Sequence, residues 1–227
     1  IIPSMRGKLR SNSLNSIVKE AEKLVSIGTK EILVISQDTS AYGLDLGYEE
    51  TNIKGQGLKT NIFNLADQLG DLGVWIRLHY IYPYPHVENL IPLMAQKKIL
   101  PYLDVPFQHA HPDILKRMAR PSSKVHDLSQ INRWRSICPE ISIRSTFIVG
   151  FPGETEAQFE YLLQWLDMAN IDRVGCFKYE NIDGARANNL ESQVPEEIKE
   201  ERFHRFMSKA QKISKRKLKE KVAKKIS

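Results

Sequence analysis

With 227 residues, 41% hydrophobic and 26% charged, the chain is long enough for one large domain with a real core, and no uncharged apolar run nears the roughly 18 residues of a membrane span. Its net charge of +6 is uneven: residues 208–227 hold nine Lys or Arg against Glu220 alone, while residues 1–207 hold 24 basic and 26 acidic groups, which excludes a general polyanion-binding surface outside the tail. The opening residues show no leader pattern, and Cys138 and Cys176 have unrelated flanks, which excludes a disulfide framework and makes a reducing cytoplasm the expected setting.

Ile1-Ile2-Pro3 reads as the end of something ordered, and Ser4-Met5-Arg6-Gly7 as a turn leaving it. Ser13–Ile27 places Ile17, Ala21, Leu24 and Val25 at helical spacing and stops at Gly28, a C-capping residue. Ile32–Ile35 is a buried strand running into Ser36-Gln37-Asp38. A long glycine-rich loop (Gly43, Gly47, Gly55, Gly57) leads to a helix over Asn61–Leu72. Val74–Ile81 is the next strand, followed by a helical stretch near Val87–Lys97. Leu103–Phe107 is a strand with two helical segments after it, Pro112–Ala119 and Val125–Ile137. Ile141–Val149 is a strand, Glu154–Ala169 a helix, Arg173–Tyr179 the last strand, and a long helix starts near Glu196.

Strands alternating with helices at this spacing predict βαβ units and a parallel sheet. Five strands are counted, and the helix at Ser13 calls for a strand before it. The expected fold is therefore α/β: a partial, open β/α barrel of about six units with the first strand truncated, plus a long C-terminal helix. The expected division is residues 1–194 for the barrel and 195–227 for the helix and a linker.

Active sites of such folds lie where strands end. Here the ends read Ser36-Gln37-Asp38, Arg77-Leu78-His79-Tyr80, Gln108-His109, Arg144-Ser145-Thr146 and Lys178-Tyr179. Alternation puts Arg144 and Thr146 on one face of their strand, where an arginine either meets a cavity or pairs with a neighbouring strand's acid such as Asp104. Phe147-Ile148-Val149-Gly150-Phe151-Pro152-Gly153-Glu154-Thr155-Glu156 runs a strand into a sharp turn. Gly150 permits close backbone approach, and the following acids repel a phosphate, which suits a nucleoside. On this motif alone an ordinary strand-to-helix turn is the reading favoured over a ligand contact. His79, Asp104, His109 and His111 lack a paired His-x-His, so ligand-lining or satisfied histidines are expected rather than zinc ligands. The cysteines read as small buried hydrophobes, and the tail from Pro195 as a solvated helix, acidic first and basic last.

Five strings occur in order: Gln37–Gly43, Arg77–Pro83, Tyr102–Ala110, Arg144–Glu156 and Pro195–Glu197. Together they resemble the methylthiotransferases of the radical S-adenosylmethionine superfamily, over essentially the whole chain. The match is best to the RimO-type branch, which modifies an aspartate of small-subunit ribosomal protein twelve. In that family Ile-Ile-Pro-x-x-Arg-Gly follows a Cys-x-x-x-Cys-x-x-Cys motif that holds a four-iron, four-sulfur cluster. The resemblance implies that these cysteines lie just upstream of Ile1, and that this chain is an inactive central fragment lacking both a second-cluster domain and a C-terminal β-domain.

The implied activity is insertion of a methylthio group at the β-carbon of the target aspartate. The implied cofactors are S-adenosylmethionine and two clusters in the parent, with no metal on this chain. Gln37 and Asp38 match the segment near the cofactor's methionyl amine. Gln108, His109, Arg144 and Thr146 would face its carboxylate and ribose, and the backbone of Gly150, Phe151 and Pro152 its adenine, walled by Phe177 or Tyr179. His79, Tyr82 and the loop from Tyr42 to Lys59 fall on the substrate side. Glu180 stands where relatives usually have serine. The implied partners are the ribosomal protein and an electron donor, with ribosomal RNA contact open to the basic tail, no membrane, and a monomeric state. Alternatives are the transfer-RNA branch, disfavoured by Asp38-Thr39-Ser40-Ala41-Tyr42-Gly43, a non-catalytic ribosome-binding or RNA-binding module, and, distantly, a metal-dependent hydrolase.

Overall fold

Capping side chains set where the helices begin. In the computed structural model, which describes Met5, residues 7–120 and residues 128–222, the first helix α1 (Leu14–Ser26) starts at Ser13, whose hydroxyl accepts the Ser16 N–H at 3.3 Å. It ends where Gly28, at φ +98°, returns its N–H to Val25. In chain order there follow β1 (Glu31–Val34), β2 (Glu50–Ile53), β3 (Gln56–Lys59), α2 (Ile62–Gly70), β4 (Trp75–Leu78), α3 (Leu90–Ala95) and β5 (Tyr102–Asp104). Then come α4 (Pro112–Arg117), α5 (Leu128–Ile137), β6 (Ser142–Val149), α6 (Glu156–Ala169), β7 (Arg173–Lys178) and α7 (Glu196–Lys221). The expected alternation is present. The start expected at Val125 for α5 lies outside the described residues.

The chain divides into two compact units. The first comprises Ile2–Val105 and Arg133–Ile141. Its centre is the parallel pair β1–β4, in register from Glu31↔Trp75 to Val34↔Leu78. The loop expected between Gly43 and Gly57 instead contains an antiparallel hairpin, β2–β3. Lys54 and Gly55 both take left-handed φ (51° and 88°), and Asn52 Oδ1 accepts the Gly55 N–H at 2.9 Å. That two-residue turn matches the strands' own twist, which glycine content alone did not reveal. Leu14 and Val18 of α1 and Ile62, Leu65 and Leu69 of α2 are buried with Ile76 and Leu78 of β4.

The second unit comprises Pro106–Asn132 and Ser142–Ser227. Its parallel pair β6–β7 runs from Arg144↔Arg173 to Val149↔Lys178. The buried face of β6 carries Ile143, Ser145, Phe147 and Val149. Phe147 meets Phe206 of α7 at 5.3 Å and Trp165 of α6 at 6.0 Å between ring centroids, and Phe107 meets Trp165 at 5.4 Å. The alternation is that of a sheet covered on one side by helices. Both parallel ribbons are open rather than closed into a barrel. Among the described residues no helix is long and apolar enough to cross a membrane.

Candidate functional site

Strand parity decides which side chains face away from the helices. On β6 these are Arg144, Thr146 and Ile148. Parallel register sets Arg173, Gly175 and Phe177 of β7 beside them on the same face. Phe177 is 64% exposed there, although a lone β-strand phenylalanine is usually covered. In the first unit, the corresponding face carries Leu33, Trp75, Arg77 and His79, with Leu33 half exposed and Trp75 more so. Arg77 pairs with Glu31 at 2.7 Å and lies over the Tyr102 ring. Phe177 in the second unit, and Leu33 and Trp75 in the first, leave apolar surface exposed beside arginines, of which Arg77 pairs with Glu31 and Arg173 donates to Ser214 of α7, while Ile148 packs against Ile114, Phe151 and Tyr179.

The turn after β6 is built from residues far apart in sequence. Gly150 (φ +70°) and Gly153 (φ +80°) take conformations that strain any side chain. The space above Gly150 is filled by the Lys199 stem, and that above Gly153 by the Arg117 guanidinium, which donates to the Pro152 carbonyl at 3.3 Å. The close approach that glycine permits is therefore used by the protein's own side chains. Glu154, expected in the first helical turn, precedes the cap instead. Thr155 and Gln158 form a capping box that starts α6 two residues later, at Glu156, and Glu154 turns inward. Its carboxylate, fully buried, accepts the Gly150 N–H, His109 Nε2–H at 3.2 Å and Arg202 Nη1–H at 3.2 Å.

This corrects the expectation for His109. The ring is fully buried, its Nδ1 accepts the His111 N–H at 2.9 Å, and its Nε2 is committed to Glu154. Burial pushes its pKa below the ordinary 6.5 against the opposing pull of Glu154. With both nitrogens engaged, the neutral ring supports the turn and has no atom left for a ligand. Tyr179 and Phe151 meet edge to face at 5.2 Å over Ile114, and the Tyr179 hydroxyl donates to Asn188 at 2.9 Å. They are brought together as a small buried cluster beneath the turn, while Pro152 is buried within it. Gln108 adopts φ +69°, and its N–H and C=O bond Thr146 and Ile148. A left-handed glutamine at a strand end is strained by about 1 kcal/mol or more.

In the first unit Asp38 is held by two donors, the Tyr84 hydroxyl at 3.1 Å and the Ser40 hydroxyl. Ser40 in turn accepts the Tyr82 N–H at 3.0 Å, and its carbonyl meets His86 Nε2 at 2.9 Å. Gln37 beside it is exposed. His79 Nδ1 lies 3.4 Å from Asp104 Oδ2, leaving a buried Nε2 with no partner among the described residues. The Tyr82 and Tyr84 rings meet tilted at 46°, their centroids 4.8 Å apart. Tyr42 is buried and donates to the Asn12 carbonyl at 2.9 Å, and burial aided by the Asp45 charge pushes its phenol up to about 12. It reaches a cavity of about 440 Å³ together with Tyr48, Lys59, Phe63 and His86.

Among the described residues no group of three or more His, Cys, Asp or Glu could hold a metal. Cys138 is buried, and burial raises the Cys176 thiol to about 12. Sequence reasoning missed Glu154, Lys199, Arg202 and Arg117 as parts of the site. An acid directly after Gly-x-Pro-Gly was the one local signal for Glu154, while its partner Arg202 lies 48 positions on.

Residues 1–166 match the radical SAM superfamily. The chain is 60% identical over 220 residues to the ribosomal protein uS12 methylthiotransferase RimO of Ruegeria pomeroyi, covering 96% of this chain and 47% of that protein. It is 59% identical over 227 residues to the protein of the same name from Brucella anthropi, covering 100% of this chain and 52% of that one. It thus spans about half the length of these relatives. Among solved structures it resembles the Escherichia coli coproporphyrinogen III oxidase HemN, a radical SAM enzyme (TM-score 0.58, 12% identity, 86% of this chain and 44% of that one). It also resembles Streptococcus suis SuiB bound to S-adenosylmethionine (TM-score 0.55, 10% identity, 93% and 43%), and at these identities the likeness is one of fold.

Proposed function

Because this chain belongs to the radical SAM superfamily, we propose that it is the central radical domain of a methylthiotransferase that modifies an aspartate of ribosomal protein uS12. The observation that carries this reading is high identity along the entire chain to relatives of that name. We assign residues 1–194 to the radical domain proper and 195–227 to its C-terminal helical segment. The reaction belongs to the whole protein, working in the cytoplasm as a monomer with an external electron donor. The two cysteines of this chain do not fit an iron–sulfur cluster, Cys138 being buried and the Cys176 thiol pushed up to about 12 by burial.

The exposed face of β6 and β7 suits S-adenosylmethionine. When bound and reduced by one electron from the external donor, that cofactor would supply cleavage of its own S–C bond to draw a hydrogen from an unactivated carbon, and a second molecule of it would supply the methyl group. Phe177 and Ile148 offer an apolar wall for the adenine, next to the backbone of Gly150–Pro152. Thr146 offers a hydroxyl to the ribose, Arg144 a guanidinium to the carboxylate, and Gln108 sits beside them at the strand end. In the first unit, Asp38, aligned by Tyr84 and Ser40, and Gln37 beside it keep the role that the family resemblance implies, contact with the methionyl ammonium. His79, oriented by Asp104, together with Tyr82 and the wall containing Tyr42, is assigned to the substrate peptide. These groups bind and orient rather than transfer protons, which suits chemistry that depends on positioning and exclusion of water. Lys212, Lys215 and Lys219 line one stripe of α7 and are assigned to ribosomal RNA.

The test uses the whole protein, reconstituted anaerobically, with uS12 as substrate and mass spectrometry of the target aspartate. Gain of one methylthio group, lost in Thr146→Val and Phe177→Ala together with deoxyadenosine release, is the expected result. Modification of transfer RNA instead would overturn the substrate assignment.

A further inference from the structure

A buried carboxylate is tolerated only when fully paired, and Glu154 is paired by an arginine delivered from the C-terminal helix. Arg202, 4% exposed, donates from Nη1 to Glu154 Oε2 at 3.2 Å and to the Glu154 carbonyl at 2.9 Å. One helical turn earlier, the Lys199 stem packs on Gly150. The outer arm of Arg202 is steadied by Glu156, 3.3 Å from Nη2, and Glu156 is in turn held by Arg205 at 2.7 Å. α7 therefore grips the turn from both ends of the Gly150–Glu154 segment.

The hydrogen bonds of that turn are nearly all spoken for. The Gly150 N–H goes to Glu154, the Phe151 carbonyl accepts the Glu154 N–H, the Pro152 carbonyl accepts from Arg117, and the Gly153 N–H donates to the Ser192 carbonyl. Among the described residues the Gly150 carbonyl, the Phe151 N–H and the Gly153 carbonyl have no such bond. The first two are opposite sides of one trans peptide, so a purine edge can meet one of them, its amino group the carbonyl or a ring nitrogen the N–H. The direction of that peptide depends on a turn that cannot hold itself, since two of its residues sit at positive φ and its acid is buried.

We propose that Arg202, assisted by Lys199, is a positioning residue for the cofactor. Docked α7 holds the Gly150–Gly153 turn in the shape that binds the adenine, so cofactor affinity depends on this helix. The proposal rests on the reading that the turn faces S-adenosylmethionine. The experiment measures S-adenosylhomocysteine binding to the whole protein by calorimetry, with hydrogen exchange of the amides of residues 150–154. Arg202→Met keeps the bulk and loses the charge, Arg202→Lys restores the charge, and Glu156→Gln loosens only the outer arm.

The expected result is about tenfold weaker binding for Arg202→Met with faster exchange in the turn, partial recovery in Arg202→Lys, and about threefold weakening for Glu156→Gln. Binding within twofold of wild type in Arg202→Met, even with a lowered melting temperature, makes Arg202 merely structural and overturns the proposal. Should Arg202→Met not fold, Glu156→Gln decides alone, and unchanged affinity there counts against it. If the ligand gives no protection of residues 150–154 in the wild-type protein, the adenine-facing reading itself fails, whatever the variants do.

Discussion

Replacing Phe206 with alanine asks whether α7 is an integral wall of the second unit or an attached linker. The ring is fully buried and meets Phe147 at 5.3 Å, which in turn meets Trp165 at 6.0 Å. Truncating a core phenylalanine costs about 3–5 kcal/mol, rising with the cavity left behind. The neighbours here are rigid aromatics that cannot close the gap by changing rotamer, and the lost ring contact adds about 0.5–1.5 kcal/mol within that range. The expected loss is therefore about 4 kcal/mol, a large share of the roughly 5–15 kcal/mol that holds a domain together. Urea unfolding followed by circular dichroism reads it as a drop in midpoint of about 2 M at an unchanged slope near 2 kcal/mol/M. Phe206→Leu, which refills most of the volume, should lose less than half as much. A loss below about 1 kcal/mol, or early melting of helix signal with the rest of the transition intact, would refute the packing argument.

Other consequences of the geometry are equally direct. His109 is buried neutral with its pKa pushed below 6.5, so the unfolded chain takes up its proton first as pH falls. The stabilisation is complete above about pH 6.5 and declines below it, at no more than about 1.4 kcal/mol per pH unit from this group. His109→Gln should flatten the fall in melting temperature between pH 7.5 and pH 5.5, roughly the window of imidazole titration; an unchanged pH profile would remove His109 as the cause. Gly150→Ala should destabilise by about 2–5 kcal/mol, combining a left-handed alanine with a collision against Lys199. Lys199→Ala in the same chain should recover part of that loss, as a double-mutant cycle by urea melts would show. Asp172→Ala should cost about 3 kcal/mol, because the carboxylate accepts the buried Ile143 N–H at 3.0 Å and pairs with Lys217 at 2.8 Å. Asp172→Asn, which keeps the hydrogen bond, should cost less in the same measurement.

How much of this was legible beforehand depends on how far apart the interacting residues lie. The alternation of apolar runs with amphipathic stretches was enough to predict the five β/α strands, the helices between them and an open α/β architecture, because strand and helix periods are written into neighbouring residues. Parity within β6 placed Arg144 and Thr146 together on the face away from Phe147 for the same reason. The hairpin β2–β3 escaped because its signal was the conformation of Lys54, which no glycine count marks. The start of α6 shifted because Thr155 rather than Glu154 had the capping partner.

Only the tertiary structure decided what becomes of the strand-end residues. His109 reads in sequence like a ligand contact, yet its partner Glu154 lies 45 positions away, and that pairing turns the ring inward. Arg202 reads as one more charge on a solvated helix, until docking of α7 sets it against a buried carboxylate. Local periodicity determines which face a residue takes, since it needs only the backbone's own repeat. Whether that face meets water, a helix or a ligand is determined by segments brought together across the chain, and those contacts leave no local trace.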